Sequence, residues 1–331
     1  MKQYHVCGLG NAIVDIFVEV SDPEFAELGF ERGTMRLVEP DDQRKLLESF
    51  RGRELRLVSG GSVANSIIAA SQLGAQAAFI GCVGDDRYGL FYENEFETLG
   101  IDIGSPVMFN ETTGTCVCVI TPDAERTMRT CLGVASHLSA RHVDEERIKN
   151  SQWLFVEGYV FANPATGQGA IREALRLAKE HHTKVALTCS EAFVPQAFSE
   201  PFLEALAQAS LLFCNAPEAS ALTNASGAAE AFGKLKDLVP SCVVTDGANG
   251  AYVRHGGVED LVPAFPCEPK DLTGAGDMFA GSFLYSITHG VAPEKAARAS
   301  CYLAMKVISQ IGARLHHGTR DFWKQAIDGK I

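Results

Sequence analysis

Apolar residues recur along this chain with two periods, one typical of buried strands and one typical of helices. From residue 143 onward, short continuous apolar runs alternate with segments whose apolar positions lie three to four residues apart. The predicted strands cover residues 153–157, 185–190, 211–214 and 243–245, the predicted helices 169–182 and 196–209, and a hairpin is predicted over 251–262. This succession predicts an α/β fold with a mostly parallel sheet and helices on both of its faces.

The N-terminal part contains two segments of a different character. Residues 6–10 and 77–84 read as buried strands and 63–73 as a helix, which continues the α/β pattern. Residues 13–58 and 107–131 instead have dense charges, weak helix signals and short β-prone pieces such as 115–120. We therefore predict a large α/β domain from residues 1–12, 59–106 and 132–331. The segments 13–58 and 107–131 should form a small β-sheet lid over it.

Polar and glycine clusters follow the predicted strands at their carboxyl ends. In α/β sheets these ends meet in one crevice, where ligands bind. The clusters are Asn11, Gly60-Gly61 with Asn65 one helical turn later, Ser190, Asn215, and Thr245-Asp246-Gly247. A plain turn role is an equally good interpretation of Asn11 taken alone. The convergence of the clusters favours a binding site.

Gly274, Ala275 and Gly276 stand directly before an apolar run with helical spacing that ends at Gly290. The first amides of a helix have no internal partner, and small residues let an anion approach them closely. Asp277 would point from the first turn toward that anion. A carboxylate there can accept a proton from an attacking hydroxyl. The alternative interpretation is a helix start in which Asp277 only favours the helix dipole.

Composition limits the possible partners. The 331 residues carry a net charge of -12, which argues against nucleic acid and anionic membranes as partners, and no apolar run reaches membrane-spanning length. The ten cysteines are scattered, and the pair Cys116 and Cys118 is too slight for a zinc site by itself. With no secretory signal in the N-terminal pattern, free thiols in the cytoplasm are expected.

Four motifs in order resemble the ribokinase-like (PfkB) family of carbohydrate and purine kinases. The family's C-terminal signature matches residues 271–277, although Leu272 stands where threonine is usual. Residues 60–65 through 81–89 resemble the N-terminal signature. The remaining matches are the Asn-x-x-Glu motif at Asn215 and Glu218 and the Thr-x-Gly-x-x-Gly turn at Thr245, Gly247 and Gly250. The opening Gly10-Asn11 with Asp15, and residues 113–116 and 121–128, resemble the adenosine-kinase branch.

The resemblance implies roles for individual residues. Asp277 would be the base, and Gly274, Ala275 and Gly276 would donate N–H groups to the transferred phosphoryl group. The substrate's hydroxyls would be bound by Asn11, Asp15, Gly60, Gly61 and Asn65. ATP would be bound by Asn215, Thr245, Gly247, Gly250 and Thr273, and Mg²⁺ would be held near Glu218, mostly through water. Apolar lid residues would cover a base or simply pack together: Phe17, Met35, Leu37 and Met128.

The expected function is an ATP-dependent kinase that phosphorylates a primary hydroxyl of a ribose-containing nucleoside resembling adenosine. A sugar kinase of the ribokinase or fructokinase type is the alternative, and a nucleoside-binding regulator without turnover is a further one. A monovalent cation is a possible additional cofactor, and the chain is expected to be a monomer or a homodimer. Glu191 stands where the branch usually has alanine, and the sequence gives it no role.

Overall fold

A computed structural model describes residues 2–104, 106–123 and 125–331. In chain order the strands are β1 Tyr4–Leu9, β2 Ile13–Glu19, β3 Met35–Leu37, β4 Arg56–Gly60, β5 Ala77–Ile80, β6 Val83–Gly84, β7 Ile101–Ile103, β8 Val107–Met108, β9 Gly114–Ile120, β10 Arg126–Cys131, β11 Ser151–Val156, β12 Lys184–Thr188, β13 Leu211–Asn215, β14 Cys242–Thr245, β15 Ala251–His255 and β16 Val258–Val262. The α-helices are α1 Asp22–Glu27, α2 Pro40–Ser49, α3 Ser62–Leu73, α4 Arg87–Thr98, α5 Glu145–Lys149, α6 Gly167–Glu180, α7 Phe193–Ala197, α8 Ser199–Leu206, α9 Ala216–Thr223, α10 Ala228–Leu235, α11 Ala275–Thr288, α12 Pro293–Ile308 and α13 Thr319–Ile327.

Among the described residues, nine strands form the main sheet, in the order β16-β15-β14-β13-β12-β11-β1-β5-β7. The strands from β14 to β7 run parallel, and β15 and β16 form the antiparallel hairpin predicted at residues 251–262. Alternate residues of a strand enter opposite cores: Val6 packs on the side of α3 and α11, and Cys7 and Leu9 pack on the side of α6. The predicted α/β sheet with helices on both faces is thus confirmed.

The two β-rich segments pair with each other in a separate sheet. Its order is β3-β10-β9-β2-β4, so strands from 13–58 and from 107–131 alternate. One face, with Val14, Ile16 and Val117, joins the large core, and the other, with Ile13 and Phe17, forms a small cluster of its own. A separate small sheet was predicted and is present. The division into domains at those boundaries stays a prediction, and residues 1, 105 and 124 of the predicted segments lie outside the described residues.

One helix and one strand predicted from the sequence have different bounds in the structure. The helix predicted over 196–209 is two helices, α7 and α8, because Phe198 between them has a non-helical backbone (φ -122°, ψ 40°). The strand predicted over 77–84 stops at Ile80, because Val83–Gly84 pair with Val107–Met108 instead of continuing in the main sheet. Within the described residues, no helix combines the length and the apolar character that crossing a membrane requires.

Candidate active site

Helix α11 begins at a turn that only glycine fits. Gly274 has φ +79°, and a Cβ there would stand 2.2 Å from the carbonyl oxygen of Ala313. The first intrahelical bond joins the Met278 amide to the Gly274 carbonyl at 2.8 Å, so the amides of Ala275 and Gly276 precede it. The Ala275 amide makes only a long 3.4 Å contact with the Leu272 carbonyl. These amides and the helix dipole make the turn suitable for an anion.

Asp277 is oriented by helix α3 and not by its own helix. Ser62 Oγ donates to its Oδ1 at 2.8 Å, and Asn65 Nδ2 donates to its Oδ2 at 3.0 Å. Ser62 and Asn65 lie three residues apart, which places them on one face of α3. Gly281 lets the helices approach closely, since a Cβ there would lie 2.1 Å from the Ser66 carbonyl oxygen. The carboxylate does not cap α11, which argues against the purely structural interpretation of Asp277.

Burial raises the pKa of Asp277 to about 6, while the hydrogen bonds from Asn65 and Ser62 and the charge of Arg314 oppose the rise. A carboxyl with a pKa near 6 is ionised at neutral pH and is still basic enough to take a proton.

Arg314 was not found by sequence reasoning, yet it is central to this site. Its Nε donates to Asn65 Oδ1 at 3.0 Å, its Nη2 to Ser59 Oγ at 3.1 Å, and its Nη1 to Glu95 Oε1 at 3.3 Å. Because Asn65 accepts from Arg314, its amide nitrogen must face Asp277. The guanidinium is buried, and Glu95, Asp15 and Asp277 counter the effect of burial on its pKa. Arg314 therefore both orients Asn65 and supplies positive charge beside two carboxylates.

Asn11 lies next to a buried glutamate. Asn11 Nδ2 donates to Glu157 Oε1 at 3.0 Å, and the Val63 amide donates to Glu157 Oε2 at 3.2 Å. Burial raises the pKa of Glu157 to about 7, although these hydrogen bonds lower it. Within the described part of the chain Asn11 Oδ1 is buried and has no partner. That oxygen can accept a hydrogen bond from a ligand.

Asp15 faces Gly60, where a Cβ would stand 2.7 Å from Asp15 Oδ2. Gly61, with φ +106°, packs against the Asn11 carbonyl and caps the start of α3. Burial raises the pKa of Asp15 to about 6 against the charges of Arg314 and Arg126. A cavity of about 220 Å³, here called the Asp15 cavity, lies between the small sheet, α3, α4 and the loop after α12. Its lining includes Asp15, Phe17, Arg56, Val58, Asn65, Ile68, Glu95, Leu99, Arg314 and Leu315.

The Asn-x-x-Glu motif forms a reciprocal helix cap. Asn215 Oδ1 accepts from the Glu218 amide at 2.8 Å, while the Glu218 carboxylate accepts from the Asn215 amide at 2.9 Å and from its Nδ2 at 2.8 Å. Glu218 and Asp277 also line one cavity of about 200 Å³, here called the Glu218 cavity. Burial raises the pKa of Glu218 to about 7, and Glu191 and Asp277 contribute to the rise. Each Glu218 oxygen keeps lone pairs free for a metal-bound water.

The residues predicted to bind the nucleotide are spread over two places. Asn215 and Thr245 line the Glu218 cavity, whereas Gly247 and Gly250 form the adjacent turn with φ +52° and +106°. Thr273 lies on the side of the small sheet, where its hydroxyl accepts from Arg126 Nη1 at 3.2 Å. The structure therefore does not bring Thr273 to the cavity that Thr245 lines.

Arg126 connects the small sheet to the glycine turn. Its Nη2 lies 2.5 Å from Asp271 Oδ2, and both side chains are about nine-tenths buried. Asp271 also accepts from the amides of Thr273 and Gly312 at 3.1 and 2.7 Å. The first residue of the C-terminal signature thus joins three segments, while Leu272 is exposed.

The four apolar residues predicted to cover a base differ in how far they are buried. Phe17 is buried and has the guanidiniums of Arg56 and Arg126 4.4 and 5.3 Å from its ring centre, and it also lines the Asp15 cavity. Met128 packs partly buried against the same cluster, whereas Met35 and Leu37 are exposed. For Phe17 and Met128 these contacts support packing within the small sheet.

The local sequence could have indicated that Ser62 belongs to the site, but it could not have indicated Arg314. Ser62 precedes Asn65 by one helical turn, so the spacing of α3 could have placed it on Asp277. Arg314 lies 249 residues from Asn65 in sequence, in a segment without periodic pattern.

The raised pKa values predict a steep loss of activity in acid. Asp277 and Asp15 both have pKa values of about 6, and each is expected to act as a carboxylate. Protonation on lowering the pH through 6 removes both functions, and Glu218, with its pKa raised to about 7, is protonated over the same range, so kcat/KM should fall with a slope of two or more. The check is a pH profile of kcat/KM for the wild type and for Asp15→Asn, in which the limb should become shallower. An acid limb near pH 4 would contradict these assignments.

Comparisons with known proteins agree on one family. The model of the pfkB family carbohydrate kinases matches residues 33–318. Adenosine kinase of Saccharomyces cerevisiae is 26% identical over 92% of this chain and 94% of its own length. Ribokinase of Haemophilus influenzae is 28% identical over 82% of this chain and 88% of its own. The crystal structure of adenosine kinase from Sinorhizobium meliloti superposes with a TM-score of 0.87 at 31% identity, covering 98% of this chain and 99% of that one.

The family match spans most of the chain, and it includes Gly60, Gly61 and Asn65 as well as the glycine turn before Asp277. The chain therefore belongs to the pfkB family of carbohydrate kinases.

Proposed function

We propose that this protein is a nucleoside kinase that transfers the γ-phosphoryl group of ATP to the primary hydroxyl of a ribonucleoside resembling adenosine. One observation carries the proposal. Asp277 lines the Glu218 cavity and is hydrogen-bonded to Asn65, which lines the Asp15 cavity. The carboxylate thus lies between the two cavities, at the start of α11. A hydroxyl from one side and a phosphate from the other can meet there.

Each group of residues has its own proposed role in the phosphoryl transfer. Asp277 accepts the proton of the attacking hydroxyl, and the amides of Gly274, Ala275 and Gly276 stabilise charge on the transferred group. The positive charge of Arg126 beside the same turn can neutralise phosphate when it exchanges Asp271 for ATP. Thr245, Gly247 and Gly250 form the turn that contacts the nucleotide. Positioning and charge stabilisation supply most of the catalysis in such a transfer.

The donor set of the Glu218 cavity fits a hydrated magnesium ion. Glu218 and Asp277 supply carboxylates, and Ser190 and Asn215 supply further oxygens around the same space. Mg²⁺ prefers oxygen ligands and keeps several waters, so binding mostly through water suits this cavity. The ion would neutralise charge on the ATP phosphates. A monovalent cation and the choice between monomer and homodimer stay part of the proposal. The dependence of turnover on potassium would test the cation, and sedimentation would test the oligomeric state.

The walls of the Asp15 cavity favour a nucleoside over a free sugar. Asp15 can accept two hydrogen bonds from a cis-diol, as in ribose. Val58, Ile68, Leu99 and Leu315 add an apolar wall that a sugar would leave uncovered and a base would cover. Adenosine kinases and ribokinases are both among the relatives, so a sugar acceptor is the second candidate.

An acceptor panel scored by ADP release tests the proposal. It contains adenosine, inosine, guanosine, cytidine, ribose and fructose, with 5′-deoxyadenosine as the matched control that lacks the attacking hydroxyl. We expect the highest kcat/KM with a purine nucleoside and no turnover with 5′-deoxyadenosine. Preference for ribose or fructose would establish the sugar kinase, and binding of nucleosides without acceptor-dependent ADP release would indicate the regulator.

Replacing Asp15 tests the acceptor site. Asp15→Asn keeps the size but loses the charge and half of the acceptor capacity, so unpaired hydroxyls should cost about 1–3 kcal/mol, or roughly 5- to 150-fold in acceptor KM. ATP affinity should stay nearly unchanged. Glu31→Gln, an exposed carboxylate of the same segment paired with Arg36, is the control and should leave both constants unchanged. An unaltered acceptor KM in Asp15→Asn would assign Asp15 to the fold.

A further inference from the structure

Two thiols and a carboxylate meet on the face of the small sheet that carries Phe17. Strands β2 and β9 are parallel neighbours, and their register places Asp15 beside Cys116 and Phe17 beside Cys118. The sulfur atoms of Cys116 and Cys118 lie 3.7 Å apart. One ligand atom from each of Asp15, Cys116 and Cys118 lies within 4.8 Å of the other two. The spacing of the cysteines alone argued against a metal site, but the neighbouring strand supplies a third ligand.

We propose that Asp15, Cys116 and Cys118 form a binding site for a thiophilic divalent cation such as Zn²⁺, and that the bound ion excludes the acceptor substrate. The second half rests on the proposed function, because it requires Asp15 to bind the acceptor. The first half does not, since it concerns only the three ligands.

The distance between the sulfur atoms suits tetrahedral zinc. With Zn–S bonds of about 2.3 Å, tetrahedral geometry separates two sulfurs by about 3.8 Å. The thiols could therefore bind one ion with little movement, and the Asp15 carboxylate would approach as the third ligand. A water would complete four-coordination, as in sites with three protein ligands.

The local charges suit such an ion. Two thiolates, one carboxylate and one divalent cation sum to a single negative charge. The charges of Arg126 and Arg314, which both act on Asp15, offset part of it, although Arg126 is also paired with Asp271. Binding displaces the two thiol protons into solvent. Both thiols are available as ligands, since all ten cysteines are free of disulfides.

Competition follows from the shared carboxylate. A metal ion bound to Asp15 occupies the oxygens that would accept the diol, so acceptor and metal cannot both be bound. Inhibition by Zn²⁺ should therefore weaken as acceptor concentration rises and should be independent of ATP concentration. A chelator should reverse it.

Metal binding is tested first without any substrate. The reduced, ligand-free protein is titrated with Cd²⁺, whose thiolate complexes absorb in the ultraviolet by charge transfer. We expect one ion per chain, with the band lost in Cys118→Ser and in Cys116→Val. Cys131→Ser, a buried cysteine on the neighbouring strand β10, is the matched control and should keep the band. Circular dichroism establishes that the variants are folded. No band in the wild type, or an unchanged band in both folded site variants, would overturn the site.

Inhibition is tested second, with Zn²⁺ against the acceptor identified by the panel. We expect at least a tenfold rise in the half-inhibitory Zn²⁺ concentration in Cys118→Ser, no rise in Cys131→Ser, and competition with the acceptor. A Cd²⁺ band accompanied by no inhibition, or by inhibition independent of acceptor concentration, would overturn the second half and leave the metal site standing. Failure of the acceptor panel itself would contradict the proposed function and not the metal site.

Discussion

Asp277→Asn should reduce kcat by about 10²–10⁴-fold while nucleotide binding and folding are retained. The variant loses the proton acceptor but keeps the size of the side chain. Its Oδ1 can still accept from Asn65, and its Nδ2 can donate to the Ser62 hydroxyl, which accepts as well as donates. ATP should bind as well as in the wild type or slightly better, because a negative charge beside the phosphates is gone.

Thermal melts, ATP titration and steady-state rates on this one variant separate a base from a structural aspartate. Asp321→Asn, an exposed carboxylate in the first turn of α13 that lines neither cavity, is the control for a helix-start carboxylate. A purely structural Asp277 predicts a lower Tm together with weaker ATP binding. Turnover above about a third of the wild-type rate would be incompatible with general-base catalysis by this residue.

Arg314→Met should reduce both stability and activity. Methionine fills much of the apolar volume but leaves Glu95 Oε1 and the Asn65 oxygen without their donor, while Glu95 Oε2 keeps its hydrogen bonds from Ser59. Removing one partner of a buried ion pair costs about 3–5 kcal/mol, and we expect about 3 because the Glu95 side chain is 30% exposed. Denaturant unfolding measures this loss. Arg176→Met, which removes an exposed arginine paired with Glu173 and Glu180, is the matched control and should cost at most about 1 kcal/mol.

The same variant should also change the pH profile. The charge of Arg314 lowers the pKa of Asp277 and of Asp15, so its loss raises both values further. The acid limb of kcat/KM should then lie above pH 6, and Arg314→Lys should partly restore it. A residue with a purely structural role would leave the limb in place. Unchanged stability together with an unchanged limb would contradict the network described for Arg314.

What the sequence could predict depends on how far apart the interacting residues lie in the chain. The start of α11 with Asp277, and the cap formed by Asn215 and Glu218, are local features, because spacing of three residues on a helix fixes which side chains meet. The strands of the main sheet were predictable as well, because an apolar run is contained in one short stretch of sequence. The small sheet was predictable as β structure, since residues 115–120 are β-prone.

The features of the site that could not be predicted from the sequence are contacts between segments that lie far apart in the chain. Arg314 reaches Asn65 across 249 residues, and nothing in the local pattern near Arg314 indicates a buried charge. Asp15 meets Cys116 only because β2 and β9 are parallel neighbours in one register. The ion pair between Arg126 and Asp271 likewise joins the small sheet to the glycine turn. Asn65 was expected to bind the sugar, and its contacts with Asp277 and Arg314 leave one N–H for that purpose.

The central claim is transfer of phosphate to a primary ribose hydroxyl with Asp277 as the base. The most direct test is phosphorus and proton NMR of the product formed from ATP, Mg²⁺ and the preferred acceptor, with Asp277→Asn run in parallel. We expect a 5′-phosphomonoester in amounts equal to the ADP released, formed at least a hundredfold more slowly by the variant. Inorganic phosphate in place of the ester, phosphorylation at a ring hydroxyl, or equal rates for the two proteins would contradict the account.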